Sequence, residues 1–384
     1  MIQFRTFFYY RMLIGPAAEN PAGEGGVMAD TAKAVSLDHQ KVEQFVERLV
    51  NDVGTALRGG LCYIGDKLRI FKAMATTGPV TVDELARHTG LNPRYLKEWL
   101  GAMVTANYIE YNPETGRYLL PPEHAAPLSD ETFPYFVGGF LEMIVPAVTV
   151  APKVAEAFRT GKGVDQNDYS PEMFESIERG TAPWYRNQFI QKWLPAMPQV
   201  AKALEAGGNA IDVGCGSGRA AITLAKAFPK ARVFGYDYHA LSIGRAIANA
   251  DAEGANVQFH VVDCVNLPAK QFDFVTTFDV VHDAVDPVGL MKSIHGALKI
   301  DGTYLMLEMN CSPKLEENAN PIGRFLYAVS TLYCMTTSLA HDGAGIGAAM
   351  GEPKARELAS QAGFSQFRRL PIDDPFSVLY ELRP

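Results

Sequence analysis

Cysteine is scarce in this chain: Cys62, Cys215, Cys264, Cys311 and Cys334 are the only five in 384 residues, and no two form a C-x-x-C pair. An odd and scattered set excludes a disulfide framework and a zinc knuckle, and it predicts a protein of the reducing cytoplasm. A long apolar run is missing too. The richest N-terminal stretch, Phe7 to Ile14, is short and broken by Arg11, far below the ~20 residues that span a bilayer, so neither a transmembrane helix nor a signal peptide is expected. Net positive charge is also absent. With 35 Lys and Arg against 43 Asp and Glu, the balance of -8 gives no general help toward gripping nucleic acid or an anionic membrane. The remaining composition, 47% hydrophobic and 20% charged, is that of a globular chain rather than a disordered one, and its length predicts more than one domain.

Residues 15–35 have no periodicity and include a second methionine, Met28. Residues 1–35 therefore read as a disordered extension, with a start at Met28 as the alternative. After Ser36, an N-cap residue, the apolar side chains Val42, Phe45, Val46, Leu49, Val50 and Val53 recur at three- and four-residue spacings, which predicts a helix ending near Gly59-Gly60. A second helix is expected over Leu61 to Ala75. Thr81-Val82-Asp83-Glu84 has the form of a capping box opening a short helix, and Asn92-Pro93 opens another. Tyr108 to Tyr111 and Arg117 to Leu120 then flank a turn at 112–116, as in a hairpin. Helix, turn, helix and hairpin make a winged helix-turn-helix over residues 36–125. Between Lys41 and Leu120 stand ten basic and nine acidic residues, so the basic footprint of a DNA-binding domain is missing; packing and homodimerisation through the N-terminal helices are expected instead. Residues 126–200, rich in proline and aromatics, read as a helical linker that also walls a substrate pocket, although each aromatic taken singly has core packing as its simpler role.

From residue 209 short apolar runs alternate with helical stretches, the pattern of a parallel sheet with crossover helices. The first run, Asn209 to Val213, leads into Gly214-Cys215-Gly216-Ser217-Gly218 and a helix from Arg219; the second, Arg232 to Tyr236, ends in Asp237, 19 residues beyond Gly218. A strand, a glycine turn, a helix and an acid at the next strand end form a nucleoside-binding unit. Here an acid, Asp212, also precedes the glycines. A carboxylate at that point repels a pyrophosphate and receives a cationic amine.

The Asp-x-Gly-x-Gly-x-Gly pattern resembles the first motif of class I S-adenosylmethionine-dependent methyltransferases. The resemblance implies that Asp212, Gly214, Gly216 and Gly218 hold the methionine end, that Asp237, with Tyr238 beside it, holds the ribose, and that Asp263, next to Cys264, receives the adenine amine. Phe272 to Asp283 matches the fourth strand and the loop after it, with Asp279 on the cofactor side. Thr303 to Glu308 matches the fifth strand, and Gly345 to Glu352 a substrate-side loop. Val281 to Asp286 resembles the His-Asp-x-x-Asp stretch of small-molecule O-methyltransferases, although Ala284 stands where tryptophan is usual. In that group the histidine is the base; a substrate-orienting histidine is the alternative for His282, and Glu308 is the residue expected to orient it. Asp279, His282, Asp283 and Asp286 could ligate a divalent ion, but no recognised ligand spacing is present and no metal is expected. Cys215 reads as a small spacer rather than a nucleophile, and Cys264 as a neighbour of the adenine.

The expected whole is a doubly wound Rossmann-like α/β methyltransferase domain over 201–384, preceded by the mainly α winged helix. Together they resemble the winged-helix-fused methyltransferases, with S-adenosylmethionine as cofactor and a small-molecule acceptor methylated at oxygen. Open alternatives are a transcriptional regulator that senses the cofactor, a nicotinamide-dependent oxidoreductase, and a cofactor binder without transfer.

Overall fold

The computed structural model describes residues 37–384; the expected extension at 1–35 and the Ser36 cap lie outside them. The described residues divide into two units after Asp52, within the first helix, His39–Lys67. The boundaries expected near 125 and 200 lie inside the second unit. The first helix has Asp38 at its head, whose Oδ1 accepts from Lys41 N at 3.3 Å.

That helix corrects the expected break at Gly59-Gly60. It runs on to Lys67, and the chain turns only at Arg69, which takes a positive φ of 56° before the next helix, Ile70–Thr77. The glycines serve close packing instead of termination. A Cβ on Gly59 would lie 3.1 Å from Ile144, and one on Gly65 would lie 2.6 Å from the Trp99 ring.

The winged helix forms as the sequence predicts. Thr81 and Glu84 make the reciprocal capping box of the helix Val82–Thr89, and Asn92 caps Pro93–Thr105 by accepting from Arg94 N. Strands β1 (Glu110–Asn112) and β2 (Arg117–Leu119) pair antiparallel. Arg117 then grips Glu84 with both guanidinium nitrogens, at 2.7 and 2.9 Å. Leu85, Leu96, Trp99, Leu100 and Met103 pack on Phe71 and Met74 in one core, so the helix Pro93–Thr105 turns its apolar face inward.

Between the winged helix and the sheet lie the helices Gly138–Thr149, Ala151–Thr160 and Pro171–Trp184. The first and third cross at Gly139 and Gly180, where a Cβ on Gly139 would run into the backbone of Gly180. The third continues directly into a π-helical stretch, Tyr185–Trp193. Among the described residues no single helix is long and apolar enough to cross a membrane.

The sheet has seven strands in the order β5-β4-β3-β6-β7-β9-β8, where β3 is Asn209–Val213, β4 Arg232–Asp237, β5 Val257–Val261, β6 Phe272–Phe278, β7 Leu298–Met309, β8 Gln366–Arg369 and β9 Ser377–Arg383. The first five of these in space are parallel, while β9 runs antiparallel to both β7 and β8. This is the doubly wound architecture with a closing antiparallel pair. Two apolar clusters cover its faces, one built on Ile211, Val275, Met291 and Tyr304, the other on Phe189, Trp193, Phe274 and Leu305.

Gly139→Ala should destabilise the fold by about 1 to 3 kcal/mol, the range for forcing extra atoms into a packed contact, and chemical denaturation of the variant beside the wild type measures it.

Candidate active site

The parallel strands put their carboxyl ends on one side, and ligands of open α/β sheets bind at the point where the strand order reverses. Here that point lies between β3 and β6. The loop after β3 rises with Gly214, Gly216 and Gly218 all at positive φ (69°, 52° and 76°). A Cβ on Gly214 would lie 2.7 Å from Val280, whereas one on Gly216 would meet nothing within 4 Å. The loop is thus held tight at its base and open at its tip. Gly216 N donates to Asp237 Oδ2 at 2.9 Å and His239 N to Asp237 Oδ1 at 2.8 Å, so the acid at the end of β4 braces the glycine loop. Each oxygen of that carboxylate keeps lone-pair capacity for a further donor.

Asp212 lies on β3, only 4% exposed, and accepts from Thr276 Oγ of β6 at 2.7 Å. Burial pushes its carboxyl up to about 7, and the nearby charge of Asp237 adds to the shift. Asp263 is an exposed cap whose Oδ1 accepts from Val265 N at 3.3 Å. Cys264 has its thiol pushed up to about 12 by burial and is inert as a nucleophile. The Tyr238 hydroxyl bonds to Gln166 Oε1, and Gln166 Nε2 in turn donates to the Tyr333 hydroxyl at 2.8 Å. A strap from the linker therefore bridges the β4 end of the site to the helical turn at Ser330–Cys334. It is anchored where Val164 N bonds to Thr336 Oγ at 3.0 Å.

The second half of the site is built on β6 and β7. Glu308, buried near the end of β7, uses both carboxylate oxygens: Oε1 accepts from Val281 N at 3.1 Å and Oε2 meets His282 Nδ1. One residue thus fixes both the loop and the ring. His282 is 1% exposed, and its other nitrogen, Nε2, lies 3.0 Å from Asp283 Oδ1. With Asp283 and Glu308 on either side, the imidazole is held protonated well above its ordinary range despite its burial. Asp279, at a positive φ of 57°, has a buried Oδ1 without a hydrogen-bond partner, and burial pushes its carboxyl up to about 8. The structure thus brings Asp279, His282 and Glu308 together, while Asp286 turns away to cap the helix Pro287–Ala297.

Sequence reasoning missed three contributors. Thr276, the partner of Asp212, carries no motif signal. Cys334 and Tyr333 come from a π-helical turn some fifty residues beyond His282; Cys334 Sγ, His282 and Asp283 offer ligand atoms within 4.8 Å of one another. Two such groups exist among the described residues, the second being Asp279, His282 and Glu308, and in both the imidazole nitrogens are already engaged by carboxylates. Tyr185 opens the other π-helical stretch, with its ring 5.0 Å from that of Phe278, and it feels the charges of Asp212 and Asp279. It lay in the aromatic-rich segment, where its neighbours in sequence could not single it out.

Family models agree with this geometry. The Rv2258c-like winged HTH domain matches residues 58–130 and a methyltransferase domain matches residues 204–347. The chain joins a winged helix-turn-helix domain to a methyltransferase domain. The chain is 25% identical to mouse acetylserotonin O-methyltransferase over 349 residues, 84% of each chain. Its fold is shared with human N-acetylserotonin methyltransferase in complex with SAM (TM-score 0.60, 17% identity, covering 88% of this chain and 97% of that one). It is shared as well with the O-methyltransferase NcsB1 from neocarzinostatin biosynthesis, in complex with S-adenosyl-L-homocysteine and 1,4-dihydroxy-2-naphthoic acid (TM-score 0.58, 18% identity, 88% and 98% covered).

Glu308→Gln should bring the His282 imidazole back toward the ordinary histidine range, because one of its two flanking negative charges is gone. Nitrogen-15 NMR titration of the ring in both proteins reads this directly, and equal titration midpoints would contradict the clamp.

Proposed function

We propose that this chain is an S-adenosylmethionine-dependent O-methyltransferase acting on a small, partly aromatic hydroxyl compound. The observation that carries the reading is the pairing of a buried, partnerless-cation carboxylate, Asp212, with a buried histidine whose orientation Glu308 fixes, on adjacent strand ends. The residues fit the cofactor: Asp212 would match an ammonium, the open tip at Gly216 leaves room for a ligand, and Asp237, with Tyr238 beside it, would match a ribose diol. Asp263 and Cys264 would bound the adenine end, and Asp279 would lie on the cofactor side. When bound, the cofactor supplies a methyl group on a cationic sulfur.

The protein's own work is orientation and proton handling. Tyr169, Tyr333 and Cys334 belong to one apolar cluster, with Met309 and Phe140 packed against it, and Cys334 brings that cluster against His282; an acceptor beside it would be shielded from water, which suits a flat, partly aromatic molecule. Held near the methyl, such an acceptor gains most of its rate from placement alone. His282 receives the hydroxyl proton at Nε2 after Asp283, only partly buried, swings off that nitrogen. Since the two carboxylates hold the ring protonated, transfer should speed up as pH rises through the alkaline range in which the imidazole loses its proton. The name of the mouse relative and the naphthoic acid bound to NcsB1 support an aromatic hydroxyl acceptor. The regulator alternative finds no support in the near-neutral winged helix.

Isothermal titration of the full chain with S-adenosylmethionine, S-adenosylhomocysteine and NAD tests the cofactor, with binding of the first two and silence with NAD expected. Asp237→Ala should weaken cofactor binding by ~1.5 to 3 kcal/mol, the range for hydrogen bonds to a charged group, whereas His282→Ala should leave binding nearly intact and slow methyl transfer to phenols. An unchanged rate in the second variant would remove the base role.

Homodimerisation extends the same reading. Along the first helix Phe45, Leu49, Val50, Val53, Leu57 and Ile64 are 41–71% exposed, an apolar stripe of the kind that marks a protein interface. Five free cysteines support residence in the reducing cytoplasm. Leu57→Glu should yield monomers in analytical ultracentrifugation where the wild type sediments as a dimer.

A further inference from the structure

Helix Pro171–Trp184 carries two adjacent charged residues that point in opposite directions. Glu178, 6% exposed, faces the methyltransferase domain and accepts from Arg219 Nε at 2.7 Å, from Arg245 at 2.6 and 3.0 Å, and from Asn249 Nδ2 at 2.9 Å. Arg179 faces the other way and holds Asp66 of the first helix and Glu142, each at 2.6 Å, and Glu131 at 2.9 Å.

The position of Arg219 gives this arrangement its meaning. It is the first residue of the helix that follows Gly218, and that helix has no acidic residue in its first turn. A guanidinium there opposes the positive end of the helix dipole, and a nearby carboxylate is what relieves it. Two carboxylates do this: Glu253, 2.8 Å from Arg219 Nη1, and the more deeply buried Glu178, supplied from the linker. Asn249, held by the same Glu178, also donates to Ser217 O at 3.0 Å. The residues on both sides of Gly218 are therefore tied to one buried acid that lies outside the nucleoside-binding unit.

We infer that Glu178 is a positioning residue for the cofactor loop, and that with Arg179 it makes helix Pro171–Trp184 the element through which the winged-helix half sets cofactor affinity. The inference rests on the proposed cofactor site. Without Glu178, Arg245 loses the carboxylate it pairs with, Arg219 keeps Glu253 alone, and the tie from the linker to the residues on both sides of Gly218 is gone, so the loop loses its preformed shape. Cofactor affinity then falls, while the acceptor wall and the His282–Glu308 pair stay as they are.

The test is titration of the full-length wild type, Glu178→Gln, Asn249→Ala and Arg179→Gln with S-adenosylhomocysteine, together with hydrogen exchange of the 215–221 amides. Glu178→Gln should weaken binding at least tenfold and Asn249→Ala three- to tenfold, both with faster exchange in the loop. Arg179→Gln, which touches nothing in the methyltransferase domain, should weaken it about threefold. The KM for S-adenosylmethionine should rise in the same order, with kcat at saturating cofactor changed less than twofold. Glu178→Gln with Arg219→Gln should cost less than the sum of the two. Wild-type binding with Glu178→Gln and Asn249→Ala both within twofold of it would overturn the inference alone; no binding by the wild type would overturn the cofactor reading instead. Should Glu178→Gln fail to fold, Asn249→Ala decides the matter by the same criteria.

Discussion

The chemistry of this chain depends on the parallel pairing of β3 with β4 on one side and β6 on the other. A parallel pair places equivalent chain directions side by side, so Asp212, Asp237 and the loop after Phe278 arrive at one edge without any long-range instruction. Each of these acids then does structural service as well. Asp237 braces the glycine loop through two backbone N–H groups, and Asp212 ties β3 to β6 through Thr276. A carboxylate taken out of water costs several kcal/mol unless donors or charges compensate it. Partial compensation is what leaves Asp212 ready for a cation, in contrast to Glu308, whose oxygens are both engaged.

Much of this was legible from residue spacing, for a physical reason. Strand ends, glycine turns and the acids beside them lie within a few residues of one another, so the sequence carries the geometry directly. The capping box at Thr81 and the hairpin at 112–116 are local in the same sense. The failures share the opposite property. Gly59-Gly60 looked like a helix terminus because glycine breaks isolated helices, yet Ile144, 85 residues away, supplies the contact that makes a missing side chain favourable. Thr276, Cys334 and Glu178 act across dozens of residues through ordinary side chains, and no periodicity distinguishes them from their neighbours.

Buried charge is concentrated at the two edges of the linker. Glu142 and Glu178 are nearly inaccessible, and each is met by a guanidinium and by further donors. Such networks contribute little net stability relative to apolar packing, but they permit only one relative arrangement of the helices that carry them. Under the proposed reading, in which this linker walls the acceptor site, that uniqueness matters more than extra stability.

The two π-helical stretches bear on how this segment can change over evolutionary time. A residue added to an α-helical turn advances every later side chain by ~100° around the axis. Deleting one position within Tyr185–Trp193 would turn everything downstream by that angle, Trp193 included, out of the cluster that it shares with Tyr185 and Phe189 beneath the sheet, and the whole face would have to repack.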